Sequence, residues 1–135
     1  KNPFFKTPPP KSLDKFEFQK VFNKKDFKNL NKIDGIATLC NITAESISVT
    51  LKQLTPKPKF VLIAGGGRHN THLLELIQNK TDLRISKIDD YNIDGDHIES
   101  ELIAYLAVRF LNKLPSTYPF TTGTKAPVVC GELAK

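Results

Sequence analysis

The sequence has 135 residues, of which 39% are hydrophobic and 25% charged, and its formal net charge is +6. This length suits one domain with its own core and is too short for two ordinary domains. No stretch approaches the about 18 consecutive apolar residues of a membrane span, and the N-terminal segment lacks the apolar region of a secretory signal. We therefore expect a soluble cytoplasmic protein without a membrane partner.

The positive charge comes mainly from lysine, and seven lysines fall between Lys11 and Lys32 among several phenylalanines. A nucleic-acid surface could have this composition. The patch has no arginine for bidentate contacts, however, and no recognisable nucleic-acid-binding motif. A solvated lysine face, with no nucleic-acid partner, is the preferred interpretation.

Two further features of the composition concern cysteine and methionine. Cys40 and Cys130 lie far apart and lack CxxC spacing, which argues against a zinc site or a disulfide scaffold. We expect two reduced thiols in or near the core. The chain starts at Lys1 and contains no methionine, so we expect it to be part of a longer product.

The first region, residues 1–31, is predicted to be a connector followed by a short helix. Four prolines occur in the segment NPFFKTPPPKS, and proline lacks the amide donor that a helix or central strand needs. From Asp14 to about Asn31 the pattern allows a short, charged helix that contains phenylalanine. The folded unit is predicted to span residues 32–135.

Within residues 32–135 the chain alternates between helical and strand patterns. Residues KFVLIAG predict a fully buried strand, THLLELIQN has helical spacing, and the alternation in DLRISKI predicts a second strand. This order predicts an α/β fold. A long helix ended by Pro56 and Pro58 comes first, because its apolar positions recur every three or four residues: Ile33, Ile36, Cys40, Thr43, Ile47, Leu51 and Leu54.

Residues 90–101, DYNIDGDHIESE, match the pattern D-x-[DN]-x-[DN]-G-x5-E of an EF-hand calcium loop. An EF-hand needs a helix before the loop, and the pattern here predicts a strand. The eighth position is His97 instead of an apolar residue, and no second loop exists to pair with it. We therefore predict no metal site, and we interpret Asp94 or Asp96 as the N-cap of an apolar helix that begins near Ile98.

The chain ends in a proline-, threonine- and glycine-rich tail after residue 113, which we expect to lie along the surface of the preceding units.

Three consecutive glycines, Gly65, Gly66 and Gly67, join the first strand to the following helix. Without Cβ atoms the backbone can approach a phosphate, ribose or purine closely, and a helix N-terminus offers free amides. The sequence is neither G-x-G-x-x-G nor a Walker A loop. From these residues alone, nucleotide or phosphate binding and a merely structural turn both stay open.

Several motifs together carry a resemblance to a known family. The chain contains PPPKS, a T-A-x-S-I helix core, a G-G-G-x-x-N loop and a D-G-D-x-x-E helix start. It resembles the C-terminal part of bacterial anhydro-N-acetylmuramic acid kinases over essentially its whole length. The three most specific pieces are the G-G-G-x-x-N loop, the D-G-D-x-x-E helix start and the segment L-P-x-x-x-P-x-x-T-G, which is matched by Leu114, Pro115, Pro119, Thr122 and Gly123.

The resemblance implies a fold from the actin-like, sugar-kinase and Hsp70 ATPase superfamily. Its lobes are ribonuclease-H-like and close around ATP. Residues 32–135 would then be the C-terminal nucleotide-binding lobe of a two-lobe kinase, incomplete, with a short sheet flanked by long helices. The implied partners are ATP, the sugar, the N-terminal lobe of the same enzyme and, in a homodimer, a second copy of the chain.

The reaction that the resemblance implies is phosphorylation of 1,6-anhydro-N-acetylmuramic acid by ATP with Mg²⁺. Hydrolytic opening of the anhydro bridge accompanies it and gives N-acetylmuramic acid 6-phosphate in cell-wall recycling. By the same resemblance, Gly65, Gly66 and Gly67 would contact the nucleotide, Asn70 would close the loop, and Glu99 would face the sugar. The bland interpretation of Glu99 is an acid at a helix start.

Some family features are missing from this chain. Neither a phosphate loop of the type G-T-S-x-D-G nor the aspartate that activates water is present, so we assign no catalytic residue and expect the chain alone to be inactive. Leu13, Asp14 and Lys15 replace the usual T-G-R, and Thr71 replaces a proline. The alternatives are another sugar kinase of the superfamily and a degenerate nucleotide-binding or dimerisation module without catalysis.

Overall fold

The computed structural model describes residues 3–11 and 15–134, and it has an α/β architecture. A small parallel sheet of two strands lies among helices. The helices are α1 (Lys15–Phe22), α2 (Lys25–Lys28), α3 (Lys32–Gln53), α4 (Thr71–Lys80), α5 (Ile98–Leu111) and α6 (Pro119–Thr122), the strands are β1 (Phe60–Ile63) and β2 (Arg84–Lys87), and short 3₁₀ turns cover Pro3–Lys6, Gly66–His69 and Ile88–Tyr91.

The N-terminal segment is held against the C-terminal end of α3. Lys11 Nζ donates to Gln53 Oε1 at 2.6 Å, and Gln53 Nε2 donates to the carbonyl of Phe5 at 2.8 Å. The prolines prevent a long helix, as expected, but Pro3–Lys6 forms a 3₁₀ turn. The single helix predicted after Asp14 is two short helices, α1 and α2. Leu13 and Asp14 lie outside the described residues.

The long helix predicted from the apolar spacing is α3, and it packs along α4. Asn31 caps it by accepting a hydrogen bond from the amide of Asp34 at 2.9 Å. Ala44 of α3 and Ile77 of α4 are the most buried apolar residues, with 0% and 1% exposure. At the start of α3, Ile33 and Ile36 of this apolar face are largely exposed. Fully buried residues of α3 occur only in its second half.

Both predicted strands form, and they pair in parallel with Phe60 opposite Arg84 and Ile63 opposite Lys87. Helix α4 connects them. Because the strands are parallel, their carboxyl ends meet at one edge of the sheet, where the glycine loop follows β1 and a turn with Asp89 follows β2. The prediction that β1 is fully buried was wrong, since its residues are exposed or half-buried in a sheet of two described strands.

Helix α5 presents apolar residues to solvent, because no other described helix or strand covers it closely. The tail returns along its C-terminal end, as expected: Thr117 bridges to Val128, and Gly131 lies against the ring of Phe110. Cys130 is exposed instead of near the core, and Cys40 is half-buried. Within residues 3–11 and 15–134, no helix is both long and apolar enough to cross a membrane.

Candidate functional site

The glycine loop begins with the one residue in it whose backbone requires glycine. Gly65 has φ +73°, a left-handed conformation that side chains with a Cβ rarely adopt. An ideal Cβ on Gly65 or Gly66 would meet no atom within 4 Å, and one on Gly67 would only touch Leu73 Cδ2 at 4.0 Å. Packing inside the described chain therefore does not explain Gly66 and Gly67, and the space beside them is open.

Asn70 closes this loop by capping the next helix. Its Oδ1 accepts a hydrogen bond from the amide of Leu73 at 3.0 Å, and its Nδ2 lies 3.8 Å from the sulfur of Cys40. Thr71 is the first residue of α4, a position where proline is also favoured because the amide there has no partner in the helix. The departure from the family pattern at Thr71 thus leaves the helix start intact.

Arg68 is the most buried charged side chain among the described residues, with 2% exposure. Its Nε donates to Asp89 Oδ2 at 2.7 Å and its Nη2 to Asp89 Oδ1 at 3.2 Å. Its Nη1 donates to Asp96 Oδ1 at 2.8 Å and to the carbonyl of Gly65 at 3.1 Å. One guanidinium therefore connects the glycine loop, the turn after β2 and the segment before α5.

Gly95 makes the close approach of Arg68 possible. An ideal Cβ on Gly95 would lie 2.8 Å from Cζ and 2.9 Å from Cδ of Arg68, so a larger residue would displace the guanidinium. The carbonyl of Gly95 also accepts a hydrogen bond from the amide of Gly65 at 3.1 Å. The glycines of the G-G-G and D-G-D motifs are thus in direct contact.

The two carboxyl groups around Arg68 are held ionised. Hydrogen bonding to Arg68 lowers the pKa of Asp96 to about 2 and lowers the pKa of Asp89 from its ordinary value. The same bonds, to Asp96 first and then to Asp89, raise the pKa of the Arg68 guanidinium. His69 Nε2 lies 3.6 Å from Asp96 Oδ1, which adds a second basic group beside this carboxylate.

Asp94 orders the turn before α5, although not as its cap. Its Oδ1 accepts from the amide of Asp96 at 2.9 Å, and its Oδ2 lies 2.8 Å from Nδ1 of His97. This pair lowers the pKa of Asp94 and raises the pKa of His97. The N-cap of α5 is His97, with no side-chain bond to the helix, so the prediction of Asp94 or Asp96 as N-cap was wrong. Asp94 already has its partners inside the turn, and Asp96 has its partner Arg68 in the glycine loop.

The calcium-loop pattern does not describe this segment. β2 and a 3₁₀ turn precede it, as the alternation in the sequence predicted, whereas an EF-hand needs a helix there.

Glu99 lies in the first turn of α5 and is exposed. Its carboxylate makes no hydrogen bond or ion pair with the part of the chain that the structure describes. It follows Gly95 by four positions, so the contact between Gly65 and Gly95 brings the start of α5 near the glycine loop. The structure thus joins the glycine loop to the segment before α5 through the backbone and through Arg68, and Glu99 lies in the first turn after that segment.

Comparison with known proteins adds the family. A family model described as "Anhydro-N-acetylmuramic acid kinase" matches residues 1–135. The chain belongs to the anhydro-N-acetylmuramic acid kinase family. Curated relatives with that name include proteins of Roseobacter denitrificans, 36% identical over 132 residues, and Zymomonas mobilis, 37% identical over 130 residues. These alignments cover 98% and 96% of this chain but only 34% of each relative, so the chain spans about a third of their length.

The resemblance to anhydro-N-acetylmuramic acid kinases is therefore confirmed, while the sequence analysis missed Arg68. The G-G-G-x-x-N motif leaves the position of Arg68 unspecified. A signal was present, because an arginine that follows an apolar strand and a glycine run must find acidic partners if it is buried. Five aspartates lie downstream, namely Asp82, Asp89, Asp90, Asp94 and Asp96, and only the fold shows that Asp89 and Asp96 pair with it.

Proposed function

We propose that this chain supplies the ATP-binding part of a kinase that phosphorylates 1,6-anhydro-N-acetylmuramic acid. In this proposal the anhydro bridge opens by hydrolysis, the product is N-acetylmuramic acid 6-phosphate, and the enzyme acts in the cytoplasm in cell-wall recycling. Membership of the family supports the reaction class. The observation that carries the proposal is the open space at Gly66 and Gly67, which internal packing does not require.

In the proposed fold, residues 32–135 belong to the C-terminal, ribonuclease-H-like lobe and residues 1–31 form a connector with short helices. The parallel unit of β1, α4 and β2 supports this proposal, because two parallel strands joined by a helix are the building block of larger parallel sheets. A parallel sheet is normally covered on both faces, and this one is half-exposed. The remaining strands would come from the rest of the protein.

ATP would be held by the glycine loop. The first amides of a helical turn have no partner within it, and at Gly66 and Gly67 no side chain stands between these amides and a phosphate or ribose. Asn70 would close the loop indirectly, because its cap fixes the start of α4 beside the loop. In this proposal these residues take part in nucleotide binding, with the backbone making the contacts.

Magnesium would enter with the nucleotide. Mg²⁺ is usually bound by one or two carboxylates, waters and substrate phosphates. In the described ranges no group of three or more His, Cys, Asp and Glu residues is arranged to hold a metal ion. The ATP phosphates and residues outside this chain would therefore hold the metal, whose role is to neutralise the phosphoryl oxygens during transfer.

Glu99 would contact the sugar. Its carboxylate is unpaired in the described chain and lies in the first turn of α5, three residues after Asp96, which is bonded to Arg68. A carboxylate accepts hydrogen bonds from sugar hydroxyls, so binding and orientation of the acceptor are the expected role. The proposal assigns activation of water to a residue outside this chain. The base and the phosphate loop would come from elsewhere, and the chain alone would not turn over.

The N-terminal lobe of the same enzyme is the proposed partner. Leu102, Ile103, Val108 and Leu111 on α5 are 51% to 68% exposed, and an apolar surface of this kind on one helix indicates an interaction site. A groove of about 460 Å³ runs between α5 and the tail, lined mostly by apolar side chains of Ile103, Leu106, Phe110 and Leu111. The relatives are about three times as long as this chain, and in this proposal the additional part of the enzyme covers the groove.

The nucleotide proposal is tested by Gly66→Val in the full-length protein, with Gly35→Val in α3 as a matched control. Neither new side chain meets an atom within 4 Å of its Cβ, so neither should disturb the ligand-free fold. We expect Gly66→Val to weaken ATP binding at least about tenfold, the equivalent of ~1.4 kcal/mol, and Gly35→Val to leave it unchanged. Calorimetry measures both, and equal ATP affinity in the two variants would contradict the nucleotide role.

The sugar proposal is tested by Glu99→Gln against Glu101→Gln, two exposed acids in the first turn of α5. Hydrogen bonds to charged groups contribute ~1.5–3 kcal/mol. We therefore expect kcat/KM for the sugar to fall about 10- to 100-fold for Glu99→Gln and little for Glu101→Gln, with ATP affinity kept in both. Phosphorylation is followed by mass spectrometry of the sugar. If Glu99→Gln lowers both the ATP affinity and the turnover of the sugar, the proposed role of Glu99 in sugar binding is contradicted.

The second candidate is a dimerisation or nucleotide-binding module without catalysis, and the exposed face of α5 is the observation that favours it. It predicts that the full-length protein binds ATP but never transfers phosphate to the sugar. It also predicts a dimer whose association weakens when Val108 is replaced by serine.

A further inference from the structure

We propose that Arg68 is a positioning residue that locks the glycine loop to the segment before α5, so that the ATP site and the sugar site are assembled together. The inference rests on the proposed function of these two segments. It explains why the G-G-G and D-G-D motifs occur in one chain: the structure makes them two halves of a single clamp, with Arg68 between them.

An arginine in a glycine loop suggests a phosphate ligand, but Arg68 is not available for that role. Its side chain is 2% exposed. Three of its nitrogens donate four hydrogen bonds within the protein, to Asp89, Asp96 and Gly65. The two bonds to Asp89 are bidentate, which fixes the plane of the guanidinium as well as its position. Binding a phosphate would require the clamp to open.

The bonds of Arg68 connect segments that would carry different ligands. On one side, its Nη1 donates to the carbonyl of Gly65 at the start of the glycine loop. On the other, the same nitrogen donates to Asp96, three residues before Glu99. The amide of Gly65 donates to the carbonyl of Gly95, which doubles the connection. A displacement of either segment therefore moves the other.

The charge balance gives Arg68 a second effect on the site. Asp89 and Asp96 face one guanidinium, and His69 is the other basic group beside Asp96. Without the positive charge of Arg68, two carboxylates would stand next to a loop that binds phosphate, and their field would repel the nucleotide. A lysine at this position keeps the charge but cannot bond Asp89 in the bidentate manner.

The test compares Arg68→Lys and Gly95→Ala in the full-length protein with Arg109→Lys as a control. Arg109 is a second arginine with three hydrogen-bonded partners, Pro115, Tyr105 and Tyr118, but it joins α5 to the tail. Because small misplacements of binding groups cost large factors in rate, we expect Arg68→Lys to raise KM for ATP and KM for the sugar, each by at least about tenfold. Arg109→Lys should change neither by more than about twofold.

A double variant separates positioning from general loss of structure. Gly95→Ala pushes the guanidinium away, so it should reproduce the rise in both KM values. In the double variant, both KM values should differ by less than about twofold from those of Arg68→Lys alone. Multiplicative effects would mean that the two residues act independently and would overturn the clamp. A rise in KM for ATP alone, or a lower unfolding temperature with both KM values unchanged, would overturn it as well.

Failure of the proposed function would look different, because the parent protein would then not phosphorylate the sugar at all. Amide hydrogen exchange tests the clamp in that case. Arg68→Lys and Gly95→Ala should each speed exchange in residues 65–69 and in residues 94–99 together, by at least about tenfold, whereas Arg109→Lys should not. Faster exchange confined to one of these segments would overturn the coupling whatever reaction the protein catalyses.

Discussion

Two parts of the molecule differ in how many of their side chains they bury. One consists of α3, β1, α4 and β2, and the other consists of α5 and the tail. In the first, α3 packs on α4, and Ala44, Ile77 and Ser48 are essentially inaccessible to solvent. In the second, the helix is more apolar in sequence, yet none of its residues is fully buried. Apolar composition therefore indicates which surface a helix can bury. Whether that surface is buried depends on a packing partner, which the described part of this chain supplies for α3 and α4 but not for α5.

The largest stability effect should come from the core of the first unit. Ile77→Ala removes a side chain that is 1% exposed, and truncations of this kind cost about 2–5 kcal/mol through lost burial and the cavity left behind. The unfolding free energy of the full-length protein, from a denaturant titration, measures it. Ile36→Ala, at a position that is 64% exposed, is the control and should cost less than ~0.5 kcal/mol. Equal costs would erase the contrast between the buried and exposed parts of the α3 and α4 pair.

The face of α5 should respond according to what covers it. In the 135-residue chain, Ile103→Ser and Val108→Ser alter residues that are 65% and 58% exposed, so the unfolding free energy should change by less than ~0.5 kcal/mol. In the full-length protein the same substitutions should cost roughly 1–3 kcal/mol, because the proposed contact with the rest of the enzyme buries these side chains. A small cost in both proteins would mean that the face stays exposed.

The smallest effect concerns pH and the pair of His97 and Asp94. Because Asp94 raises the pKa of His97, the pair stabilises the native state fully below the ordinary histidine value of 6.5 and loses this contribution as pH rises through the raised pKa. On the acid side, the lowered pKa of Asp94 means that its contribution is present above 3.8 and is lost as pH falls through the lowered value. Both halves are thus intact between these pH values.

His97→Asn tests this pair, with His72→Asn on α4 as the control. Thermal unfolding between pH 5 and pH 9 should show a smaller decline in stability with rising pH for His97→Asn than for the parent. His72→Asn should keep the parent's decline. If the two variants behave alike, the contact between Nδ1 of His97 and Asp94 does not persist in solution.

The sequence predicted the elements well where a local pattern determines them. Apolar spacing located α3, α4 and α5, and alternation located β2, because periodicity depends only on neighbours in the chain. The same kind of pattern overestimated the burial of β1, and the apolar spacing did not reveal that Ile33 and Ile36 are largely exposed. Periodicity identifies the apolar face of an element, whereas burial also depends on what packs against that face.

The candidate site was predicted in part. The glycine loop forms between strand and helix as expected, with Asn70 at the start of α4 and Glu99 in the first turn of α5, and the binding roles of these residues stay predictions. Arg68 was missed because its partners Asp89 and Asp96 are 21 and 28 residues away. The N-cap of α5 was misassigned for a related reason: Asp94 and Asp96 had better partners in His97 and Arg68 than the helix amides. Such competition is settled by tertiary contacts.

The space above Gly95 has a consequence for the history of the family. Since Arg68 fills the volume that a Cβ would need, Gly95 cannot be replaced by a larger residue while Arg68 keeps its position. Across anhydro-N-acetylmuramic acid kinases the two positions should therefore covary: lineages that lose the arginine should tolerate alanine or serine in place of Gly95, and lineages that keep it should keep the glycine. An alignment of family sequences would then show the paired substitution of positions 68 and 95 in many lineages.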